Sequence, residues 1–220
     1  MRILEIKKRR KSLYAISLEP KPDSEDLFFE TDSTGQLVLD ASLVAEKGLS
    51  VNQEITNEDL VNLVSESFLR RAKSRALWYL SRGDLSYKEL FGKLCRAFPE
   101  EAAKNACDKM QELGFINDER YAERLAENLL TGKRVSKRQA EYLMAGKGID
   151  RETARYALDE VDADPVVIIT ELIEKKYKNK MGDKASTEKV IAALARRGFS
   201  FSSIREAVKK YNSEIEIYED

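Results

Sequence analysis

The 220-residue chain contains no histidine. That removes the side chain used most often as a general base and as a metal ligand near neutral pH. Its two cysteines, Cys95 and Cys107, lack the CxxC spacing of a metal or redox motif. Both fall inside predicted helices, where they read as reduced core thiols rather than a redox pair. The glycines are scattered at predicted helix ends, so there is no glycine-rich loop to cradle a phosphate. The acids sit mostly at helix starts and on polar faces, so no carboxylate metal cluster is expected. No apolar run approaches the length needed to span a membrane. The basic N-terminus is not followed by the apolar segment of a secretion signal. These absences predict a cytoplasmic binding protein with no catalytic residues, no metal and no cofactor, rather than an enzyme.

What the chain has in abundance is charge. Lys plus Arg number 38 and Asp plus Glu 39, a net charge of −1 with 35% of residues charged. That is well above the usual quarter and suits slender helices with much exposed surface. The 42% hydrophobic share still allows a core in each part.

The most informative stretch runs over residues 75–128. Leu77, Leu80, Leu90, Phe91, Leu94, Met110 and Leu113 fall at helical spacing. Ser86-Tyr87-Lys88-Glu89 has the form of a capping box, in which serine and glutamate each satisfy an orphan N–H of the first turn. Gly83 and Gly114 stand where helices should stop. Pro99 followed by Glu100 and Glu101 suits a helix start. Of these and the next helix, Leu90, Leu94, Leu113 and Tyr121 are expected to be buried.

The pattern then recurs. Ser136-Lys137-Arg138-Gln139 is a second capping box about fifty residues on, and Ser186-Thr187 opens another helix about fifty later. The helices after these caps end in Arg96-Ala97-Phe98, Lys147-Gly148-Ile149 and Arg197-Gly198-Phe199. Helix starts follow at Pro99, Asp150 and Ser202-Ser203. Such a period means an array in which each unit buries its apolar face on its neighbour. The fold expected is mostly α: tandem three-helix repeats in an elongated curved array, with a small N-terminal α+β module.

That module occupies residues 1–56. Leu4 and Ile6, and again Tyr14, Ile16 and Leu18, alternate with polar residues as in half-buried strands. Between them lie Lys7, Lys8, Arg9, Arg10 and Lys11, which read either as a solvated hairpin end or as a contact for phosphate or an acidic partner. Phe28-Phe29 and Gln36-Leu37-Val38-Leu39 are further strand candidates, and Pro20-Lys21-Pro22-Asp23 a loop. Ala41 to Lys47 suits a short helix stopped by Gly48.

Asn57 is expected to cap a long helix reaching about Arg82. Leu60, Leu63, Val64, Phe68, Ala72, Ala76, Leu77 and Leu80 give its apolar stripe; Arg70, Arg71, Lys73 and Arg75 lie on its polar face. Residues 57–116 then hold this linking helix and the first three-helix unit, 117–163 the second, 164–212 the third, and 213–220 a loose acidic tail. In the second unit, Lys133, Arg134, Lys137 and Arg138 crowd a helix start, where cations oppose the dipole, so they read as a solvated face or as serving an external partner. In the third, Asp164-Pro165 starts a helix with Val166, Ile169, Leu172, Ile173 and Tyr177 on its apolar face. Lys175, Lys176, Lys178 and Lys180 form its basic end. Val190, Ile191 and Leu194, then Ile204, Ala207 and Val208, complete the unit.

Taken together, these residues resemble the RecX family of recombination regulators. The resemblance rests on Ala76-Leu77, Tyr79-Leu80-Ser81-Arg82, Ser86, Glu89-Leu90 and Leu94. It continues through Leu113-Gly114-Phe115-Ile116 with Asp118, Arg120, Tyr121 and Ala122, and then Gly132, Arg134, Leu143 and Lys147-Gly148-Ile149. It implies binding to the filament that RecA forms on single-stranded DNA, and restraint of filament growth, ATP hydrolysis and strand exchange. The implied partners are that filament and, weakly on its own, single-stranded DNA, with the protein acting as a monomer. The competing readings are a helical-repeat DNA-binding protein and a scaffold for another partner.

The contact surface expected is a discontinuous basic stripe recurring at unit starts and ends: Arg70, Lys73, Arg75, Arg134, Lys137, Arg138, Lys147, Arg196 and Arg197. The run Lys7 to Lys11 is a secondary candidate. Several such charges acting together steer association and give a salt-sensitive affinity.

Overall fold

The computed structural model describes residues 1–10, 12–21 and 36–218. It is mostly helical with one small sheet, and its residues divide into two compact units, Met1–Ile116 and Asn117–Asp220.

In the first unit, β1 (Arg2–Arg10) pairs antiparallel with β2 (Leu13–Glu19), which pairs antiparallel with β3 (Leu37–Asp40). The alternation expected from Leu4 and Ile6 is out of phase at its start. Ile3 is the buried residue and Leu4 faces solvent, because the pairing register shifts between Ile3 and Glu5. A bulge of this kind inserts one unpaired residue and flips the faces that follow. The basic run is also not the hairpin turn expected: Lys7, Lys8, Arg9 and Arg10 are part of β1, opposite Leu13 to Ala15. Lys11 and the Phe28-Phe29 candidate strand lie outside the described residues. The free edge of β1 is covered by the segment after Val51, through Asn52 N–H to Ile3 C=O (2.8 Å) and Ile3 N–H to Gln53 C=O (2.9 Å).

The Asp40 carboxylate ends β3 and starts α1 (Ala41–Glu46), accepting from the N–H groups of Ser42 and Leu43. Its own N–H donates to Ser67 Oγ at 2.9 Å, which ties the sheet to α2 (Asn57–Leu80). The N-cap of α2 is Thr56, one residue before the Asn57 expected, in a reciprocal capping box with Asp59. Threonine wins because the acid three residues on returns a bond to its N–H. Ser86 and Glu89 form the expected box at α3 (Tyr87–Leu94), and Pro99 precedes α4 (Glu100–Glu112).

One continuous core joins Ile3, Ile16 and Leu39 of the sheet to Leu60 and Phe68, and then to Leu90, Leu94, Ala103 and Met110. Ala72 and Ala76 on α2, with Ala103 and Ala106 on α4, are fully buried; small side chains let two helices approach closely. Leu77 and Leu113, expected in the core, are exposed. Leu77 follows the fully buried Ala76 and so turns about 100° off the stripe. Leu113 is the C-cap of α4, where the chain leaves helical geometry at Gly114 (φ 73°). Of the two cysteines expected in the core only Cys107 is buried; Cys95, the C-cap of α3, is exposed, and the two are unpaired.

In the second unit, α5 (Asp118–Glu127), α6 (Lys137–Gly146) and α7 (Arg151–Glu160) enclose a core of Ala122, Ala126, Leu129, Leu130, Met144 and Leu158, with Tyr121 half-buried against it. A second core, Ile168, Ile169, Leu172, Ile173, Leu194, Phe199, Ile204 and Tyr211, lies among α8 (Pro165–Leu172), α9 (Lys184–Arg196) and α10 (Phe201–Tyr218). Both α5 and α8 pass at their C-terminal ends into one wide π-turn, Asn128–Gly132 and Ile173–Tyr177. An inserted residue there changes the helix phase. That is how sequence neighbours Leu129 and Leu130, and Leu172 and Ile173, are all buried.

Three starts and stops differ from expectation. Helix α9 begins at Asp183, whose carboxylate accepts from Ser186 N–H, rather than at Ser186-Thr187. Helix α10 is preceded by Ser200, which accepts from Ser203 N–H at 3.1 Å, rather than by Ser202-Ser203. It also runs on to Tyr218 instead of giving way to a loose tail after Asn212. No glycine or proline follows Gly198 to stop it.

Candidate binding surface

Of the cations of the predicted stripe, the structure ties some into the fold and leaves others open. On α2, Arg70 donates to Glu46 and to Glu66, both at 2.7 Å, and to Ser42 Oγ at 3.3 Å. It braces α1 against α2. The hydrogen bond from Arg70 holds the Glu66 carboxyl below its usual range, and Lys47 adds to this at 3.3 Å. Lys73, nearly one turn further, is half-buried. Arg75 is exposed and lies well round the helix from both, over the Trp78 ring at 5.5 Å. In β1, Lys7, Lys8 and Arg9 are exposed along the strand.

In the second unit, Arg134 sits at φ 54° just past the π-turn that follows α5 and pairs with Glu171 of α8. It is partly buried, its side chain 26% exposed, and Glu171 is held below the ordinary carboxylate range by that bond. Lys137 pairs with Asp159 at 2.8 Å across α6 and α7. Both cations, expected to be free for a partner, have internal acids. Lys147 is half-buried near the end of α6.

Arg138 and Arg196 are the exposed cations that the structure brings together. With Gln139, Tyr142, Ala195 and Gly198 they line a shallow groove between α6 and α9. Tyr142, one turn beyond Arg138, is 75% exposed. It also borders a second groove with Arg151, Ile149 and Ala154. The groove is positioned by Ser136, the N-cap of α6: its hydroxyl accepts from Gln139 N–H at 3.1 Å and donates to Arg197 C=O at 2.7 Å. Arg197 itself is half-buried, with Nη1 enclosed. A different face, between α5 and α7, is acidic, lined by Glu119, Glu123 and Glu152 with the exposed Tyr156.

Tyr142, Arg151 and Trp78 were not among the predicted contacts. An aromatic on an otherwise polar helical face was the available signal. Trp78 stands between Arg75 and Arg82 where the α2 stripe needs no large side chain. Among the described residues there is no cluster of acids and cysteines able to hold a metal ion, and no helix is long and apolar enough to cross a membrane.

Comparison with known proteins adds the following. Residues 163–208 match the family model described as RecX, third three-helix domain. The chain is 28% identical over 223 residues to regulatory protein RecX of Streptococcus sanguinis, spanning 100% of this chain and 79% of that one. It is 33% identical over 108 residues to regulatory protein RecX of Caldanaerobacter subterraneus, 49% of this chain and 54% of the other. The fold is similar to a crystal structure of regulatory protein RecX (TM-score 0.63, 21% identity, 95% of this chain and 98% of that chain). It is also similar to the crystal structure of RecX from Lactobacillus salivarius (TM-score 0.58, 25% identity, 66% and 97%).

Proposed function

We propose, from the premise that the chain belongs to the RecX family, that it binds the filament formed by RecA on single-stranded DNA and restrains its growth, ATP hydrolysis and strand exchange. The observation that carries this reading to particular residues is the groove between α6 and α9. There Arg138 and Arg196 stand exposed beside Tyr142, while neighbouring cations are neutralised by Glu171 and Asp159. Arginine and tyrosine are the residues over-represented where protein surfaces bind tightly. Two exposed guanidinium groups add long-range attraction to an acidic surface or to phosphates.

The protein acts as a monomer on this reading, and its contact with DNA alone is weak, in keeping with a net charge of −1. The test is a titration of the protein into RecA hydrolysing ATP on single-stranded DNA. Progressive inhibition supports the reading. Full ATPase activity at saturating protein, with tight binding to naked DNA instead, would establish the DNA-binding alternative.

A further inference from the structure

We infer that the C-terminal end of α2 carries a stacking site for single-stranded nucleic acid, built from Trp78 and Tyr79 with Arg75, Arg82 and Lys93. The inference rests on the filament reading for its setting, since that partner holds a single strand. For its chemistry it rests on the first unit alone.

Arg75, Trp78 and Arg82 are spaced by three and four residues and so share one side of the helix end. The Arg82 guanidinium lies 3.9 Å and that of Arg75 5.5 Å from the indole centroid. Tyr79 meets Trp78 edge to face, with centroids 5.1 Å apart, and Lys93 of α3 stands 5.3 Å over the tyrosine ring. Cation–ring contacts occur about once per 70–80 residues in proteins; three converge here on two adjacent rings.

Tyr79 packs partly against the core of the first unit, but Trp78 is not a hidden piece of it. Trp78 is 42% exposed although Arg82 already lies against it, and the neighbouring Leu77 is 43% exposed. The core face of the same turns is filled by Ala72 and Ala76. Nor is the cluster an internal ion-pair network: among the described residues Arg75, Arg82 and Lys93 have no carboxylate partner, whereas Arg70 on the same helix has two. Three uncompensated cations call for an anion. The exposed Trp78 ring, with the half-buried Tyr79 ring at its edge, calls for a flat partner.

A single strand of nucleic acid supplies both, because its phosphates are anionic and its bases are unstacked. A duplex presents the phosphates but hides the base faces. An acidic protein surface supplies the charge but not the planes.

The chain's single tryptophan makes the site directly observable. The full-length protein, without RecA, is titrated with a thymidine oligonucleotide of about twenty residues, and with a duplex of equal length and heparin as controls. The expected result is quenching of Trp78 emission by the single strand, weakening as salt rises, with little change from the duplex or heparin. The double variant Arg75→Gln/Arg82→Gln, which keeps the fluorophore, should bind at least fivefold more weakly with unchanged helix content. Absence of quenching, equal quenching by heparin, or unaltered affinity in the variant overturns the inference.

Inhibition of the RecA ATPase is measured in parallel. Inhibition without quenching leaves the filament reading standing and removes the stacking site. Quenching without inhibition does the reverse.

Discussion

Ser136 and Arg197, 61 residues apart in sequence, are joined by a hydrogen bond from the serine hydroxyl to the arginine carbonyl at 2.7 Å. The same hydroxyl caps α6 through Gln139 N–H. One side chain therefore starts a helix in one small core and closes the end of α9 over the next. Ser136 is only 5% exposed, so water cannot replace it. Ser136→Ala removes a cap worth about 1 kcal/mol and strands a carbonyl at a further cost of about 1 kcal/mol or more. Its unfolding free energy in urea should fall by about 2–3 kcal/mol. Asp150→Ala, at the exposed cap of α7, should cost about 1 kcal/mol.

Gly198 depends on the same contact. It has φ +88°, and a Cβ there would lie 2.6 Å from Ser136 Oγ. Gly114 has φ +73° but open space around it. Gly114→Ala therefore carries only the left-handed penalty of about 1–2 kcal/mol, whereas Gly198→Ala adds an overpacking cost of about 1–3 kcal/mol. In a double-mutant cycle, Ser136→Ala should relieve part of the Gly198→Ala cost, because it deletes the oxygen that the new methyl meets. Strict additivity in denaturant melts would mean that the two helices separate freely at this point.

Leu94 and Leu113 look equivalent as letters in a helical pattern and differ in the fold. Leu94 is fully buried and Leu113 is 54% exposed. Leu94→Ala should cost about 2–5 kcal/mol and Leu113→Ala less than about 1 kcal/mol. Thermal or urea melts of the two variants would check this directly. Equal costs would require a partner for Leu113 that the fold does not provide.

The two cysteines should behave as different groups. Burial, with the Asp108 carboxylate adding to it, pushes the Cys107 thiol up to about 12 from an ordinary 9.0. The native state thus holds this proton more tightly than the unfolded chain. The stabilisation is complete below about pH 9 and is lost as pH rises towards about 12. Cys107→Ala should make the alkaline decline in stability shallower. It should not abolish the decline, because Tyr87 and Tyr211 are also raised, mainly by burial. Thiol labelling of the native protein should modify the exposed Cys95 and spare Cys107 until unfolding.

Much of the helical layout could be read from residues whose effect is local. Ser86 with Glu89, Ser136, Asp150 and Asp164 cap helices by bonds that span two or three residues. What could not be read depends on partners far along the chain or on phase. The bulge at Leu4 and the π-turn at Leu129-Leu130 shift the face that a period would assign. The proposed binding surface was legible as a set of cations and not as a geometry. Arg70, Arg134 and Lys137 look like Arg138 in sequence, yet each meets an acid brought in from another helix. The aromatics between the cations, Trp78 and Tyr142, are exposed and add a second signal to the proposed surface.

That difference sets the sharpest prediction for the proposed function. Arg138→Glu/Arg196→Glu reverses two exposed cations on one groove and breaks no ion pair among the described residues. The variant should keep its helix content and melting behaviour, because exposed charges contribute little to folding. Its inhibition of the RecA ATPase should weaken at least tenfold, roughly 1.4 kcal/mol of binding. The residual affinity should depend less on salt, since fewer charges remain to be screened. Arg134→Glu is the contrasting control. It replaces the ion pair with Glu171 by two facing carboxylates, so it should lower stability as well as function. Circular dichroism and ATPase titrations on the two variants separate the outcomes. If the double variant folds and inhibits like the parent, the groove between α6 and α9 is not the contact surface. The exposed strand cations Lys7, Lys8 and Arg9 would then be the ones to reverse.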